Sequence, residues 1–249
     1  MGKALNRKER RALKFGKAHQ NEKGELIYGT EKKPKEVHFE PRNDKQRDLY
    51  ISLLGDPCVV VTGAAGTGKT YVSASVAAKE YSEGRIAKII ISRPNVGTGK
   101  SLGAFPGTVE EKMAPWLVAI TDVLRKQLGE GKFKYAMQHR HIEIQPMETI
   151  RGRSFPNSFI LFDEAQNLTR DDLKAIVTRQ GENSTMVLMG DKTQRDVTVD
   201  GLSWLRKIAR KYDVSASFHE FTSDDIIRSG ICKQWVKAFE GESDDNNSI

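Results

Sequence analysis

The sequence is poor in cysteine and contains no long apolar run. Its 249 residues include two cysteines, Cys58 and Cys232, which are too few and too isolated to build a zinc site or a disulfide framework. The longest apolar runs, CVVV, KIIIS and FILF, are far shorter than the roughly 20 residues that span a bilayer, and no apolar segment follows the charged N-terminus. These absences predict a cytoplasmic protein that is neither secreted nor inserted in a membrane.

Positive charge is concentrated near the N-terminus. Residues 1–35 contain eleven Lys or Arg and four Asp or Glu, whereas the rest of the chain contains 29 residues of each sign. A basic arm of this kind is typical of a contact with nucleic acid or another polyanion, although a solvated leader would have the same composition. We expect a basic arm over 1–35, flexible or helical, and a disordered acidic tail over 241–249, which lacks core-forming residues.

Between residues 36 and 240, short apolar runs alternate with segments of helical pattern. The runs in CVVVT, AKIIIS, IEIQP, SFILFDEA and TMVLMGD predict strands. The segment NDKQRDLYISLLG predicts a helix with Leu49, Leu53 and Leu54 on one side, and a long helix is expected from Thr108 to Leu128. Continuous apolar strands separated by helices are typical of a mostly parallel sheet with helices on both faces. The sequence therefore predicts one α/β domain.

The segment GAAGTGKT matches the phosphate-binding loop GxxxxGK[ST] at every position. In such a loop the first Gly makes the turn out of a strand, backbone N–H groups surround the phosphates, Lys69 binds the β- and γ-phosphates, and Thr70 binds Mg²⁺. An apolar run precedes the segment and a helical pattern follows it, as the loop requires. The residues predicted to bind the nucleotide are Gly63, Ala64, Ala65, Gly66, Thr67, Gly68, Lys69 and Thr70.

A second GTGK, within PNVGTGKS at residues 94–101, fails the same comparison. Pro94 occupies the position of the first Gly, and the following LGAFPG contains too many Gly and Pro residues for the first turns of a helix. Without a helix N-terminus, the segment lacks the feature that binds an anion in a phosphate loop. We predict a single nucleotide site.

Two adjacent carboxylates follow the apolar run in FILFDEAQN. Asp163 and Glu164 are expected at the carboxyl end of a buried strand, where open α/β sheets bind ligands. Asp163 is placed to hold Mg²⁺ and Glu164 to take a proton from an attacking water, the alternative being a helix N-cap with an acidic first turn. In MGDKTQRD, Gln194 is a candidate to contact the γ-phosphate or that water, although a plain polar turn would have the same sequence.

Five motifs, taken in order, resemble the PhoH-like family of P-loop ATPases. They are GAAGTGKT, RPNVGTGKSLGAFPG, IRGRSFPNSFILFDEAQN, MGDKTQRDV and DDIIRS, and the resemblance covers about residues 36–240. It implies ATP hydrolysis with Mg²⁺, a RecA-like sheet with an additional strand, as in the first half of superfamily 1 helicases, and action on single-stranded RNA or DNA. By the same resemblance, Gln46 stands where related helicases place a glutamine that reads adenine, whereas its place in a helix alone indicates a solvent-facing residue. Arg93 and Lys100 stand where helicase-like sheets contact nucleic acid.

The resemblance also implies a partner for hydrolysis. A superfamily 1 helicase closes its ATP site between two RecA-like domains, and arginines of the second domain stabilise the transferring phosphoryl group. Because the sequence predicts one such domain, we expect either slow ATP hydrolysis or a ring of identical copies, a hexamer, that supplies an arginine in trans. The candidates, each of which could instead form a structural ion pair, are Arg93, Arg151, Arg153 and Arg228.

Two other functions remain open at this point. One is an ATP-switched regulatory or scaffold protein without helicase activity. The other is a P-loop kinase, which Glu164 disfavours because a kinase needs a closing lid and an acceptor pocket instead of a water-activating carboxylate. The chain also departs from the family pattern at RDVTVDGL, where an apolar residue and Pro usually follow the Asp, and at Ser229, where His is common. These departures leave the ATPase motifs intact and concern the coupling of hydrolysis to a partner.

Overall fold

A computed structural model describes residues 18–20, 26–28, 37, 39–94, 109–194, 200–227 and 230–246. The chain divides into two compact units, Met1–Glu36 and Val37–Ile249. In the first unit, strands β1 (Ala18–Gln20) and β2 (Leu26–Tyr28) pair in antiparallel register. The prediction of a flexible or helical arm is therefore wrong for these two ranges. Ile27 and Tyr28 are residue types that favour strands.

The second unit alternates strands and helices. Its strands are β3 (Cys58–Thr62), β4 (Lys88–Ser92), β5 (Ile142–Ile144), β6 (Ser158–Phe162), β7 (Thr185–Gly190) and β8 (Ser217–Glu220). Its α-helices are α1 (Asp44–Gly55), α2 (Lys69–Ser82), α3 (Val109–Met113), α4 (Val118–Leu128), α5 (Glu130–Gln138), α6 (Met147–Ile150), α7 (Arg170–Val177), α8 (Gly201–Lys211) and α9 (Gly230–Asn246). No helix among the described residues is long and apolar enough to cross a membrane.

The six strands of this unit form one parallel sheet in the order β5-β4-β6-β7-β3-β8. This arrangement confirms the predicted α/β class and its parallel sheet. Strand β7 lies between β3, which leads into the glycine-rich loop, and β6, which leads into Asp163, which is the place of the additional strand that the resemblance implies. The apolar runs predict five strands and miss β8, which is an edge strand with half-exposed side chains.

Two apolar layers cover the two faces of the sheet. Side chains alternate between them along each strand, so that Ile89 and Ile91 face one layer and Ile90 faces the other. The first layer includes residues of α1, α2 and α4, and the second includes residues of α7 and α8. The prediction of helices on both faces is confirmed.

Two predicted helices differ in detail from those in the structure. The long helix expected to end at Leu128 is broken into α3 and α4 by a 3₁₀ turn, Ala114–Leu117, which contains Pro115. A proline lacks the N–H that would continue the helical ladder. In α1, the side of the helix that packs against the core carries Gln46 together with Leu49 and Leu53, whereas Leu54 is exposed.

The C-terminal helix extends further than the sequence predicts. A disordered acidic tail is expected from residue 241, but α9 continues to Asn246. Once a helix is nucleated, each added residue gains one hydrogen bond at small entropic cost, so a polar sequence can prolong it. Residues 247–249 lie outside the described part of the chain.

Candidate nucleotide site

The glycine-rich loop connects β3 to α2, as the motif requires. Gly63 has φ 146° and Gly68 has φ 92°, a backbone region that favours glycine. A Cβ on Gly63 would overlap Phe221, and one on Gly68 would overlap the Gln46 amide. The loop therefore needs glycine at both positions, for conformation and for space.

Hydrogen bonds within the loop curl it around Lys69. The Lys69 Nζ donates to Gly63 O at 2.6 Å and to Ala64 O at 2.9 Å. Thr67 Oγ1 also donates to Ala64 O at 2.9 Å, and Thr67 is fully buried. The Thr67 side chain is thus a structural support of the loop.

Gln46 supports the loop from the side of α1. It is buried, with its Nε2 donating to Thr67 O at 2.9 Å and its Oε1 accepting from Arg42 N at 3.0 Å. The interpretation of Gln46 as a solvent-facing helix residue is therefore wrong. Its contact with adenine stays a prediction, since the contacts seen are with the backbone of the loop and of Arg42.

Asp163 and Glu164 follow directly after β6. The Asp163 N–H donates to Ser92 O at 2.9 Å, which fixes the end of β6 beside the end of β4. Glu164 has φ 53°, a left-handed conformation that is uncommon for a residue other than glycine and is often found at functional sites. Glu164 precedes the 3₁₀ turn Ala165–Asn167 without a side-chain capping bond, so the N-cap alternative is wrong.

The environment of Asp163 disfavours its charge. Burial raises the pKa of this carboxyl above its ordinary value, and the neighbouring charge of Glu164 raises it further. The positive charges of Arg93 and Lys69 oppose the shift in pKa. A cation bound next to Asp163 would act in the same direction as these two side chains, because it would favour the ionised carboxylate.

Gln166 links Glu164 to the loop that follows β7, and no motif in the sequence predicts this role. Its Nε2 donates to Glu164 Oε2 at 2.6 Å and to Gln194 O at 3.3 Å, while its Oε1 accepts from Asp191 N at 3.0 Å. The residue is buried. The sequence signal for Gln166 is its place in the motif DEAQN. This motif is typical of the family but does not indicate that Gln166 contacts Glu164 and Gln194.

The turn after β7 is held together by Asp191. Its carboxylate accepts from Gln194 Nε2 at 3.0 Å and from the backbone and hydroxyl of Thr193 at 3.0 and 2.7 Å. These bonds fix a short 3₁₀ turn, Lys192–Gln194, at the carboxyl edge of the sheet. Gln194 therefore has a defined position close to the Glu164–Gln166 pair.

These elements enclose a cleft of about 470 Å³ at the carboxyl edge of the sheet. The predicted residues that line it are Ala65, Gly66, Gly68, Lys69, Thr70, Asp163, Glu164 and Gln194. Lining residues that the motifs did not predict are Arg42, Tyr71, Ala119, Val123, Gly190, Asp191 and Ile227. The hydroxyl of Thr70 and the carboxylate of Asp163 are the hard oxygen ligands that Mg²⁺ prefers, so the residues fit this cation.

Arg93 lies beside this cleft, immediately after β4. Its Nη1 donates to Trp116 O at 3.1 Å, and its guanidinium lies 5.6 Å from the centre of the exposed Trp116 ring. The buried Nε of Arg93 has no hydrogen-bond partner among the described residues. Arg93 and Trp116 thus form an arginine–aromatic pair at the surface.

The other predicted cations are not part of the cleft lining that the structure describes. Arg151 pairs with Asp172 across 2.5 Å, and Arg153 pairs with Glu143 across 3.0 Å. Both arginines therefore form structural ion pairs, which the sequence left open as the alternative to a catalytic role. That either arginine acts on the nucleotide site of a neighbouring copy stays a prediction. Arg228 and Lys100 lie outside the described residues.

Comparison with known proteins identifies a family. A family model described as PhoH-like protein matches residues 38–240. Protein PhoH of Escherichia coli (strain K12) is 33% identical over 202 residues, which cover 80% of this chain and 57% of that protein. The PhoH-like protein of Bacillus subtilis (strain 168) is 32% identical over 237 residues, covering 93% of this chain and 74% of the relative. The chain thus spans a little over half the length of the Escherichia coli relative.

Two solved structures are similar to this chain, with lower sequence identity than the relatives above. The large terminase from a thermophilic bacteriophage has a TM-score of 0.46 and 13% identity, covering 80% of this chain and 50% of the terminase. The Hef helicase domain of Pyrococcus furiosus has a TM-score of 0.42 and 13% identity, covering 73% of this chain and 38% of the other.

Proposed function

The chain belongs to the PhoH-like protein family of P-loop nucleotide-binding proteins, and from this premise we propose that it is a Mg²⁺-dependent ATPase. The single observation that carries the proposal is that Lys69, Glu164 and Gln194 line one cleft. A phosphate-binding lysine, a carboxylate that can take a proton and an amide that can orient water are groups with which P-loop sites hydrolyse a nucleoside triphosphate.

The glycine-rich loop supplies the phosphate-binding groups. Lys69 provides the positive charge, and α2 begins at Lys69, so that its N-terminal N–H groups face the same region. Thr70 and Asp163 are the residues that would hold Mg²⁺, which when bound neutralises charge on the phosphates.

Glu164 is the proposed general base. Gln166 holds the Glu164 carboxylate by one oxygen, Oε2, and leaves Oε1 to accept a proton from a water in the cleft. Gln166 also holds the backbone of Gln194, whose side chain lines the cleft and would orient that water or the γ-phosphate. The base and the orienting amide are therefore positioned by the same buried side chain.

We further propose that the protein acts on single-stranded nucleic acid, as an RNA helicase or translocase does. Support comes from the basic arm and from the pair formed by Arg93 and the exposed Trp116. An aromatic ring with an arginine beside it is suited to stacking an unpaired base next to a phosphate. The charge of Arg93 also lowers the pKa of Asp163, so binding of a nucleic acid to Arg93 would change the electrostatic environment of Asp163 in the nucleotide cleft.

A ring of copies would complete the site. Arg42 is the arginine that lines the cleft among the described residues, and its backbone N–H is bonded to Gln46. An arginine that reaches the transferring phosphoryl group raises hydrolysis by about three to five orders of magnitude. A neighbouring copy, in a hexameric ring, is the proposed source of that arginine.

Steady-state ATP hydrolysis tests this function, measured with and without single-stranded RNA and DNA. The same assay is run on a variant whose arm, residues 1–35, has its lysines and arginines replaced by glutamine. We expect stimulation by a single strand and its reduction in the variant. Hydrolysis without stimulation by any polymer would favour an ATP-switched scaffold, and transfer of phosphate to an added acceptor would favour a kinase.

A further inference from the structure

The amide of Gln46 is bonded to the backbone next to the nucleotide cleft. Its Nε2 donates to Thr67 O, its Oε1 accepts from Arg42 N, and the residue is 1% exposed. Gly68 lines the cleft, whereas Gln46 is not among the described residues that line it. A glutamine that reads adenine presents a donor and an acceptor to the edge of the base. Gln46 presents its donor and its acceptor to the backbone instead.

The proposed function assigns one end of the cleft to the phosphates. Lys69, Glu164 and Gln194 are the groups that act there, and each of them lines the cleft. A nucleotide whose γ-phosphate lies at these groups extends its ribose and base toward other lining residues. Two of these, Arg42 and Tyr71, carry a guanidinium and a phenol ring, which are groups that bind bases in proteins.

The ring of Tyr71 is held in place by neighbouring rings. Tyr71 directly follows the motif GAAGTGKT in the first turn of α2, and it is half-buried. Its ring packs against Phe39 with centroids 6.1 Å apart, and Phe39 stacks on Tyr50 with centroids 5.1 Å apart. A fixed ring at the edge of a cleft is a stacking platform, and stacking accepts any base because every base has a π-face.

Arg42 is connected to the glycine-rich loop through Gln46. It precedes Asn43, the N-cap of α1, and is exposed. Its backbone N–H is bonded to the Gln46 amide, which in turn is bonded to Thr67 O. A guanidinium only donates hydrogen bonds. Guanine offers two acceptors on one edge, O6 and N7, whereas adenine offers N7 beside the donor N6. An arginine therefore serves the edge of guanine with two bonds and that of adenine with one.

We propose that the cleft takes purine nucleoside triphosphates and does not favour ATP over GTP, with Tyr71 stacked on the base and Arg42 at its edge. This inference rests on the proposed function and names the substrate class of the same site. Gln46 then supports the loop for both nucleotides, in place of the adenine contact that the helicase resemblance implies. Since Tyr71 stacks on both purines and Arg42 matches guanine, GTP binds at least as tightly as ATP.

The phosphate end of the cleft does not distinguish the two nucleotides. ATP and GTP carry the same triphosphate and bind the same Mg²⁺, and Lys69, Thr70 and Glu164 act on these parts alone. Specificity is a difference between two affinities, so it arises from contacts with the base. A site rejects an analogue strongly when a buried polar group of the site is left unpaired. The amide of Gln46 keeps its backbone partners with either base, so GTP leaves no such group behind.

Binding of non-hydrolysed ATP and GTP analogues to the full chain tests this inference, measured by calorimetric titration with Mg²⁺. The variants are Tyr71→Leu and Arg42→Leu. Tyr212→Leu and Arg47→Leu are the matched controls, because Tyr212 is an exposed tyrosine and Arg47 an exposed arginine of α1, and neither lines the described cleft. Circular dichroism establishes that each variant is folded.

We expect the unmodified chain and both controls to bind the GTP analogue at least as tightly as the ATP analogue. Tyr71→Leu should weaken both about fivefold or more, because the stacking platform is lost. Arg42→Leu should weaken the GTP analogue about threefold or more beyond its effect on the ATP analogue, because guanine loses the additional hydrogen bond. A preference of the unmodified chain for ATP of about tenfold or more overturns the inference. Affinities of Tyr71→Leu equal to those of its control also overturn it.

Gln46→Leu separates the two roles of the glutamine. We expect it to weaken both analogues by the same factor, because it removes a support of the loop that serves either nucleotide. A loss confined to the ATP analogue would show that Gln46 reads adenine and would overturn the inference. Hydrolysis of ATP and GTP, measured separately, tests the proposed function. A chain that binds both analogues but hydrolyses neither nucleotide supports the inference and overturns the ATPase, and one that binds neither analogue overturns both.

Discussion

Gln166 and Glu164 are joined by a hydrogen bond of 2.6 Å between Nε2 and Oε2, and Glu164 lines the same cleft as Lys69. The same amide donates to the backbone of Gln194, so one buried side chain contacts both residues to which the proposed function assigns the attacking water. In the proposed hydrolysis, Gln166 is thus a positioning residue for Glu164, the proposed base.

Replacement of Gln166 should therefore impair turnover more than binding. For Gln166→Leu we expect kcat to fall at least tenfold, because the base loses its orientation, while the affinity for ATP analogues changes little. The matched control is Gln127→Leu, which removes a buried glutamine that donates to Ser75 Oγ outside the cleft. A Gln166→Leu protein with the kcat of this control would contradict the role assigned to Gln166.

Gly68 should not tolerate a side chain. Its φ of 92° and the closeness of the Gln46 amide mean that Gly68→Ala must displace the contact that supports the loop. We expect ATP affinity to fall at least tenfold in calorimetric titration. Gly84→Ala is the control, since Gly84 also has positive φ, 74°, but has open space around it. That variant should lose about 1 to 2 kcal/mol of stability and keep its ATP affinity; equal ATP affinity in both variants would refute the argument.

Trp116 is expected to contribute to nucleic-acid binding. Stacking of a base on an aromatic side chain is worth about 1–3 kcal/mol, so Trp116→Ala should weaken binding of a single-stranded oligonucleotide about fivefold or more. Fluorescence anisotropy with a labelled oligonucleotide measures the change. Tyr135→Ala removes another exposed aromatic ring, from α5, and should leave the affinity unchanged. Equal affinities of both variants would remove Trp116 from the proposed contact.

Glu143 and Arg153 provide a prediction about stability and pH. Burial raises the pKa of Glu143, but hydrogen bonds from Lys88 and Arg153 outweigh it and hold the pKa below its ordinary value. The ionised carboxylate therefore stabilises the fold above the ordinary pKa of a glutamate, and this contribution is lost as the pH falls through the lowered value. Since Lys88 and Arg153 are partly exposed, Glu143→Gln should cost about 1 to 2 kcal/mol at pH 7 and less near pH 3.

Urea unfolding at the two pH values measures this effect. Glu130→Gln is the control, because Glu130 pairs with Arg125 and Lys134 at the exposed surface, where such pairs contribute little. Arg153→Gln should likewise reduce stability. If Arg153→Gln instead lowered kcat about a thousandfold with unchanged stability, Arg153 would be the arginine supplied in trans and the structural role would be wrong.

The sequence predicts the parts of this site that are set by local order along the chain. The role of Lys69 could be predicted because a strand, a glycine-rich turn and a helix in succession are typical of a phosphate-binding loop. The role of Asp163 could be predicted because an apolar strand that ends in carboxylates is typical of a ligand site at the carboxyl edge of a sheet. The parallel sheet followed from continuous apolar runs. Strand β8 was missed because an edge strand with half-exposed side chains lacks such a run.

Contacts between distant parts of the chain could not be predicted in this way. Gln166 meets Gln194 across 28 positions, and Ile227 meets the glycine-rich loop at Gly66. These pairs depend on which strands are neighbours in the sheet, and the spacing of residues in the sequence does not encode that order.

Glu164 is proposed to remove a proton from water during ATP hydrolysis, and single-turnover hydrolysis by Glu164→Gln measures this role. The substitution keeps the size of the side chain and removes the base, so ATP should bind with nearly unchanged affinity and be hydrolysed about 100-fold to 10,000-fold more slowly. Glu182→Gln, outside the nucleotide cleft, is the control and should hydrolyse ATP as the unmodified chain does. Hydrolysis by Glu164→Gln within a few fold of this control would contradict the role of Glu164 as the general base.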